Sequence, residues 1–318
     1  MTQQKTTIGY LLPTREIVMA QTVPDLSRIM LLAERAEKLG FDSLWVGDSI
    51  LARPRLEPLT TLAAAAARTS RVKLGTAVLL PALRHPVVLA NELANLDLVC
   101  NGRLILGLGI AGNNSSIERE FTACGLDFKH RIGIFEEGVA LMRRLWTEPE
   151  VTFHGRHFQL DGVRLGLRPA QPSGIPLWLA GGVDNALRRV LRLGDGWFPL
   201  PNSPEQFARH WQRLEELGNE TGRDAGSLVR AVYVSVNIND DAAQAEREMR
   251  AFMESYYNVS YETMVAVQPP YNGPADGCIE WLQAFVERGA ETVVVRFGAP
   301  DQTAQQERFA AEVLPALR

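Results

Sequence analysis

Cysteine and histidine are scarce in this chain, and neither sign of charge is in excess. The three cysteines, Cys100, Cys124 and Cys278, are scattered, odd in number and form no CxxC pair. They encode no disulfide framework and are expected as reduced thiols of a cytoplasmic protein. The five histidines, His85, His130, His154, His157 and His210, stand in no HExxH pattern and pair with no cysteine, so no metal is expected. There is no GxSxG elbow of a serine hydrolase. Lys and Arg number 33 against 37 Asp and Glu, a net charge of −4, which offers no cationic face to nucleic acid. The most uniform apolar run, Ala63–Ala67, is far short of the ~20 residues of a membrane span. The start, MTQQKTTIGYLLP, has one lysine and no long apolar core, unlike a secretory signal. The 18 prolines and 26 glycines are spread along the chain and make no low-complexity tract. What is present is 318 residues, 46% apolar and 22% charged, the composition of a globular enzyme.

Short β-rich runs alternate with runs of helical period from end to end. Strands are expected at Thr7–Leu12, Ser43–Val46, Val72–Leu79, Leu104–Leu108, Pro176–Ala180, Gly196–Pro199, Leu228–Val236 and Thr292–Arg296. Helices are expected between them, the first from Pro24 to Leu39 with Gly40 as its stop, the last from Ala304 to Leu317. Eight βα units favour a closed (β/α)8 TIM barrel over an open doubly wound sheet, and no linker divides residues 1–318, so one domain is expected. Two insertions interrupt the rhythm. After strand four roughly 67 residues pass before the next strand, with a helix at Gly133–Trp146 and a hairpin around His154-Gly155. After strand seven a Pro- and Gly-rich loop covers Ser260–Pro274.

In a barrel, chemistry sits on the loops leaving the C-terminal ends of the strands. Gly107 to Gly112 formally matches GxGxxG after strand four, but three βα units precede it and Leu126–His130, twenty residues on, is no strand, against the Rossmann reading. Its glycines either let backbone approach backbone, or, with Asn113, Asn114 and Ser115, cradle an anion or a flat ring. Gly181-Gly182 follows strand five and opens a helix near Asp184, whose free N–H groups make a phosphate seat or a plain turn. Asp48 ends strand two, as a catalytic or ring-binding carboxylate or a loop brace. His85 precedes the third helix and is the one histidine placed where a general acid or base belongs. Arg296 ends strand eight, where an anion could meet it. Asp195 reads as structural. A mouth lined by Tyr10, Leu79, Phe198, Tyr257 and Tyr271 suggests an apolar organic substrate.

Taken together, Ala36–Val46 (AEKLGFDSLWV), Leu74–Val78 (LGTAV) followed by Arg84-His85-Pro86, Gly102–Gly109 (GRLILGLG), Arg131–Glu137 (RIGIFEE), Pro176–Gly182 (PLWLAGG) and Asp195-Gly196-Trp197 resemble the bacterial luciferase-like family of flavin-dependent oxidoreductases. The resemblance implies a (β/α)8 barrel binding FMN or the deazaflavin coenzyme F420 over the strand ends. It implies a non-prolyl cis peptide near Ala77–Val78, and a cofactor held by Asp48, Ala77, Val78, Gly109, Ala111, Gly112, Gly181 and Gly182. Asp48 and His85 are then the candidates to steer proton transfer. The first expectation is a two-component monooxygenase that takes reduced FMN from a separate flavin reductase and oxygenates a small organic substrate, with Asn258–Pro274 as a lid. The alternatives are an F420-dependent hydride-transfer reductase or dehydrogenase, and a non-catalytic flavin-binding relative. Deazaflavin members often carry Asp-His at the end of strand two, where this chain has Asp48-Ser49. The resemblance also implies a homodimer.

Overall fold

The computed structural model describes residues 6–20 and 25–318. Its central sheet is built from β1 (Thr7–Leu11), β2 (Ser43–Val46), β3 (Lys73–Leu79), β4 (Leu104–Leu108), β5 (Leu177–Leu179), β6 (Gly196–Trp197), β7 (Val229–Ile238) and β8 (Thr292–Phe297). All neighbours are parallel, in the order β7-β8-β1-β2-β3-β4-β5-β6, and β6 pairs back onto β7 through Gly196 opposite Val229. The ring therefore closes as the predicted (β/α)8 barrel.

Local chemistry sets the helix ends. Asp25 accepts the Ser27 N–H to begin Leu26–Leu39, and Gly40 ends that helix at φ +96°, a conformation that glycine takes without a Cβ penalty. Pro24, the expected start, lies outside the described residues. Pro58 and Pro86 each open a helix, preceded by Glu57 and His85 as caps.

Both insertions are where they were expected. Between β4 and β5 lie helices Ser115–Ala123 and Arg131–Thr147 and an antiparallel hairpin, Val151–His154 with Gln159–Val163. After β7 and the helix Ala242–Tyr257, the segment expected as an irregular lid has regular structure instead. Helix Tyr261–Val267 is capped by Ser260, and Tyr271–Gly273 adds a short parallel strand beside Val236–Ile238. Seven residues are too few for a helix to persist by propensity alone. Here Tyr261 packs on buried Met249 and Met253, a tertiary contact that periodicity cannot show.

Two cores result. One fills the space between sheet and helices, and a second, smaller one plugs the barrel lumen with Trp45, Trp178, Phe198 and Tyr233. The Trp45 ring lies tilted at 5.3 Å from Trp178 and 5.1 Å from Phe198. Such bulk fits because glycines face it. A Cβ on Gly9 or Gly75 would collide with the Trp45 indole, and one on Gly196 would come within 2.5 Å of the Trp178 ring. This plug is the floor of the site above it.

Candidate active site

A cavity of about 450 Å³ opens over the plug at the C-terminal ends of the strands. Asp48, Ala77, Val78, Gly109, Ala111, Gly112 and Gly181 all line it, so the structure brings together seven of the eight residues proposed to hold a cofactor. The β3–β4 register shifts between Thr76 and Leu79, and the Ala77–Val78 peptide there is cis. Gly107 of β4 and Gly109 just beyond it make room for this bulge: a Cβ on Gly107 would strike the Thr76 carbonyl, and one on Gly109 the Val78 side chain. Gly107 is thus fixed by the close approach of the Thr76 backbone, and Gly109 by the Val78 side chain that fills the space beside it.

Across from the bulge, Gly181 adopts φ +135° and the Trp197 indole donates to its carbonyl at 2.7 Å. Helix Asp184–Leu193 follows with no side-chain cap, and the N–H groups of Val183, Asp184 and Asn185 donate to no protein acceptor among the described residues. Free first-turn donors at the positive end of a ten-residue helix are suited to a phosphate. Asp184 does not oppose this, because both its oxygens are held outward by Arg213. Arg189 lines the cavity, oriented by Glu136 at 2.8 Å, while Arg188 pairs with Glu220 on the surface. Gly182, the eighth residue, stands behind the cavity, where a Cβ would meet His210 at 2.5 Å. These glycine cradles and free donors fit a flat ring with a phosphorylated tail.

Of the two residues proposed for proton transfer, Asp48 is in the cavity wall but fully engaged. Its Oδ2 accepts from Arg84 Nη1 at 2.6 Å and Leu80 N–H at 3.0 Å, and its Oδ1 from Arg84 Nη2 at 3.1 Å. That geometry is the brace reading: Asp48 ties the β2 end to the segment after β3. His85 is corrected. It caps helix Pro86–Val99, accepting the Val87 N–H, and its exposed ring meets Phe158 edge-on at 5.6 Å, outside the cavity lining. Position before a helix placed it on the correct face of the barrel but could not tell cap from acid. Tyr10, Leu79 and Tyr271 are likewise outside the lining, whereas Phe198 and Tyr257 are in it. Asp195 is structural as read, bound by Arg143 and the Leu177 N–H.

The residues that the sequence reading missed are Ser49 and Glu120. Glu120 is 1% exposed and lines the cavity. Its Oε1 accepts from Ser49 Oγ at 2.9 Å and from the backbone N–H groups of Ile50 at 2.5 Å and Leu51 at 2.8 Å. Its Oε2 is buried and has no hydrogen-bond partner. Ser49 Oγ in turn accepts the Arg53 N–H at 2.9 Å, leaving one lone pair on a hydroxyl that borders the cavity. A signal existed: Ile117, Glu120 and Phe121 share one face of a helix whose other members, Ala123 apart, are polar.

Residues 6–292 match the luciferase-like monooxygenase family. The chain belongs to that family. As a luciferase-like protein it is an oxidoreductase acting on a small molecule. An Intrasporangium calvum protein named F420-dependent glucose-6-phosphate dehydrogenase is 32% identical over 89% of this chain and 92% of its own. A Kineococcus radiotolerans protein of the same name is 29% identical over 90% of this chain. Among solved structures, an F420-dependent secondary alcohol dehydrogenase bound to an F420-acetone adduct superposes with a TM-score of 0.83 at 23% identity, covering 99% of each chain. The monooxygenase RslO1 of Streptomyces bottropensis superposes equally well, at 0.82 and 22%, so the fold alone does not divide the two chemistries. The sequence relatives do. They overturn the expectation of a reduced-FMN monooxygenase and, with it, the flavin reductase as a supplier. No described helix of this luciferase-like chain is long and apolar enough to cross a membrane.

Proposed function

We propose that this luciferase-like protein is a coenzyme F420-dependent dehydrogenase or reductase that interconverts a small alcohol and its carbonyl compound. The observation that carries the reading is the relatives' naming: proteins similar over about nine-tenths of the chain bear the name F420-dependent glucose-6-phosphate dehydrogenase. When bound, the deazaflavin supplies or accepts the hydride. Gly109 and Gly112, just after β4, and the helix following Gly181-Gly182 would hold its ring and phosphate, and the Ala77–Val78 bulge would support the ring.

Alcohol oxidation also requires a proton acceptor. With Asp48 occupied by Arg84, the polar pair at the end of β2 is Ser49 and Glu120. An alcohol O–H would donate to the free lone pair of Ser49 Oγ, whose own proton passes to Glu120 Oε1. In carbonyl reduction the proton returns by the same path. Asp48 and Arg84 are positioning residues that fix the β2 loop.

The deciding test is binding of F420 and FMN followed by turnover without oxygen. Selective F420 binding, and reduction of bound F420 by an alcohol in an anaerobic cell, are expected; preference for FMN or a requirement for oxygen would refute the assignment. Ser49→Ala should then lower kcat by about a hundredfold with the cofactor Kd unchanged, and an unaltered kcat would remove Ser49 from the proton path.

A further inference from the structure

Diametrically opposite the glycine cradle, four strands around the ring from β4, β8 carries Arg296 one residue before its end. This side chain is 2% exposed and borders the cavity. A guanidinium carries five N–H donors and cannot lose its charge in a protein. Among the described residues Arg296 has one hydrogen bond, from Nη2 to Ser235 Oγ at 2.9 Å, and its Nε is buried without a partner. Among the described residues no carboxylate lies within 4.0 Å of it. Around it stand rings instead: its guanidinium carbon is 4.5 Å from the Tyr256 centroid, 4.8 Å from Phe252, 5.2 Å from Tyr257 and 5.5 Å from Tyr233.

Cation–π contacts offset part of the cost of burying this charge but fill none of its in-plane donors. A buried charge is ordinarily paired, and removal of its partner is strongly unfavourable. The acid whose field reaches Arg296 is Glu16, whose own carboxyl is pushed up by burial, which weakens its service as a counter-charge. The other cations nearby make the imbalance larger. Arg15 donates to the Tyr256 carbonyl, Arg55 to the Tyr256 hydroxyl, and Arg53 lies 5.1 Å from the Tyr257 centroid. These three also lack a carboxylate within 4.0 Å among the described residues. One wall of the cavity is thus a positive, aromatic-backed pocket, separate from the glycine cradle across the barrel.

We propose that Arg296 is the anion subsite for the substrate, which therefore carries a terminal oxyanion, carboxylate or phosphate, at the end remote from the reacting carbon. The proposal rests on the oxidoreductase reading above for the word substrate; the subsite itself stands on geometry. An oxyanion there would take the free Nε–H and the cavity-facing edge of the guanidinium, while its carbon skeleton lies over Tyr233 and Phe198 toward Ser49. Neutral alcohols of the same skeleton would leave the charge unpaired and are disfavoured.

The test uses the full-length protein with F420 saturating, its binding followed by its own absorbance, so that the cradle is filled before the subsite is probed. Inorganic phosphate and acetate are titrated separately by calorimetry. At least one should bind the wild type, and Arg296→Gln should weaken that binding by about tenfold or more, corresponding to loss of one charge-assisted contact. The F420 affinity should be unchanged. Arg296→Lys, which keeps the charge among the rings, should retain intermediate binding and guards against a folding defect in the glutamine variant. Which anion binds tells carboxylate from phosphate. Absence of binding by both anions in wild type, or equal affinity in Arg296→Gln, overturns the subsite. Failure of F420 itself to bind would overturn the cofactor assignment instead; the anion titration on the free protein would then still be decided by the Arg296 dependence.

Discussion

Asp48 and Glu120 are both buried carboxylates in one cavity wall, and their hydrogen bonds divide them. Asp48 spends both oxygens on Arg84 and a backbone N–H, whereas Glu120 concentrates its partners on Oε1. Glu120→Ala leaves four donors of residues 49–52, one buried and three part-buried, without an acceptor, so it should destabilise the fold by about 3 kcal/mol, measured by urea unfolding. Glu120→Gln keeps an acceptor oxygen at the same place and should cost far less. Equal losses would mean the charge, not the hydrogen-bond geometry, holds the loop. His210, behind Gly182, has a buried and unpartnered Nδ1, and burial, then Arg209, lowers its pKa below the ordinary 6.5. In this state the folded chain resists a proton that the unfolded chain accepts, so stability is full above pH 6.5 and declines as the pH falls below it. His210→Asn should flatten that decline between pH 6.5 and 5, read as urea midpoints. Glu120 and His210 were hard to read from sequence because each is a polar residue on an amphipathic helix, where solvation is the usual fate. Both lie on the apolar stripe, His210 three residues beyond Phe207, and only packing reveals which polar members of a stripe are buried.

At the scale of elements, the β3–β4 pair shapes the site most directly. The bulge is legible as a motif, because LGTAV in the third strand and the glycines of the fourth resemble the family, yet its physical reason appears only in register: β3 steps out of line between Thr76 and Leu79, and Gly109 leaves the space into which Val78 turns. Gly109→Ala would set a methyl group against Val78 and displace the cavity wall. Overpacking of this kind costs about 1–3 kcal/mol, which the barrel should survive, so the expected outcome is a folded protein with F420 affinity reduced about tenfold or more. Unchanged affinity would move the ring away from the bulge. The segment after β7 teaches the reverse lesson. Its prolines and glycines read as a loop, but Tyr261 finds Met249 and Met253, and Tyr271–Gly273 finds the free edge of β7's end, contacts separated too far along the chain for any local pattern to carry. The alternation of eight strands and helices was legible because each unit buries its own apolar face; pairings between distant units were not.

For the whole molecule, net charge and local charge point in opposite directions. The chain carries −4, which at long range repels an anionic ligand, yet Arg53, Arg55, Arg189 and Arg296 border one cavity. Low-dielectric walls focus the field of such a group, and steering of this kind raises association rates and is screened by salt. Pairing sets how much of that field survives: Arg189 is neutralised by Glu136, whereas among the described residues Arg53, Arg55 and Arg296 have no carboxylate partner within hydrogen-bonding reach. The expected consequence is kinetic. Stopped-flow association of F420 should slow by about tenfold between 0.02 and 0.5 M NaCl, as the screening length falls from roughly 20 Å to about 4 Å. The dissociation rate should change little, because the proposed phosphate seat would hold the bound group by N–H contacts at short range. Arg53→Gln combined with Arg55→Gln should remove most of the salt dependence while leaving the dissociation rate as it was. A salt-independent association rate in the wild type would show that the arginine wall exerts no field at the mouth and that its charge acts only on ligands already inside.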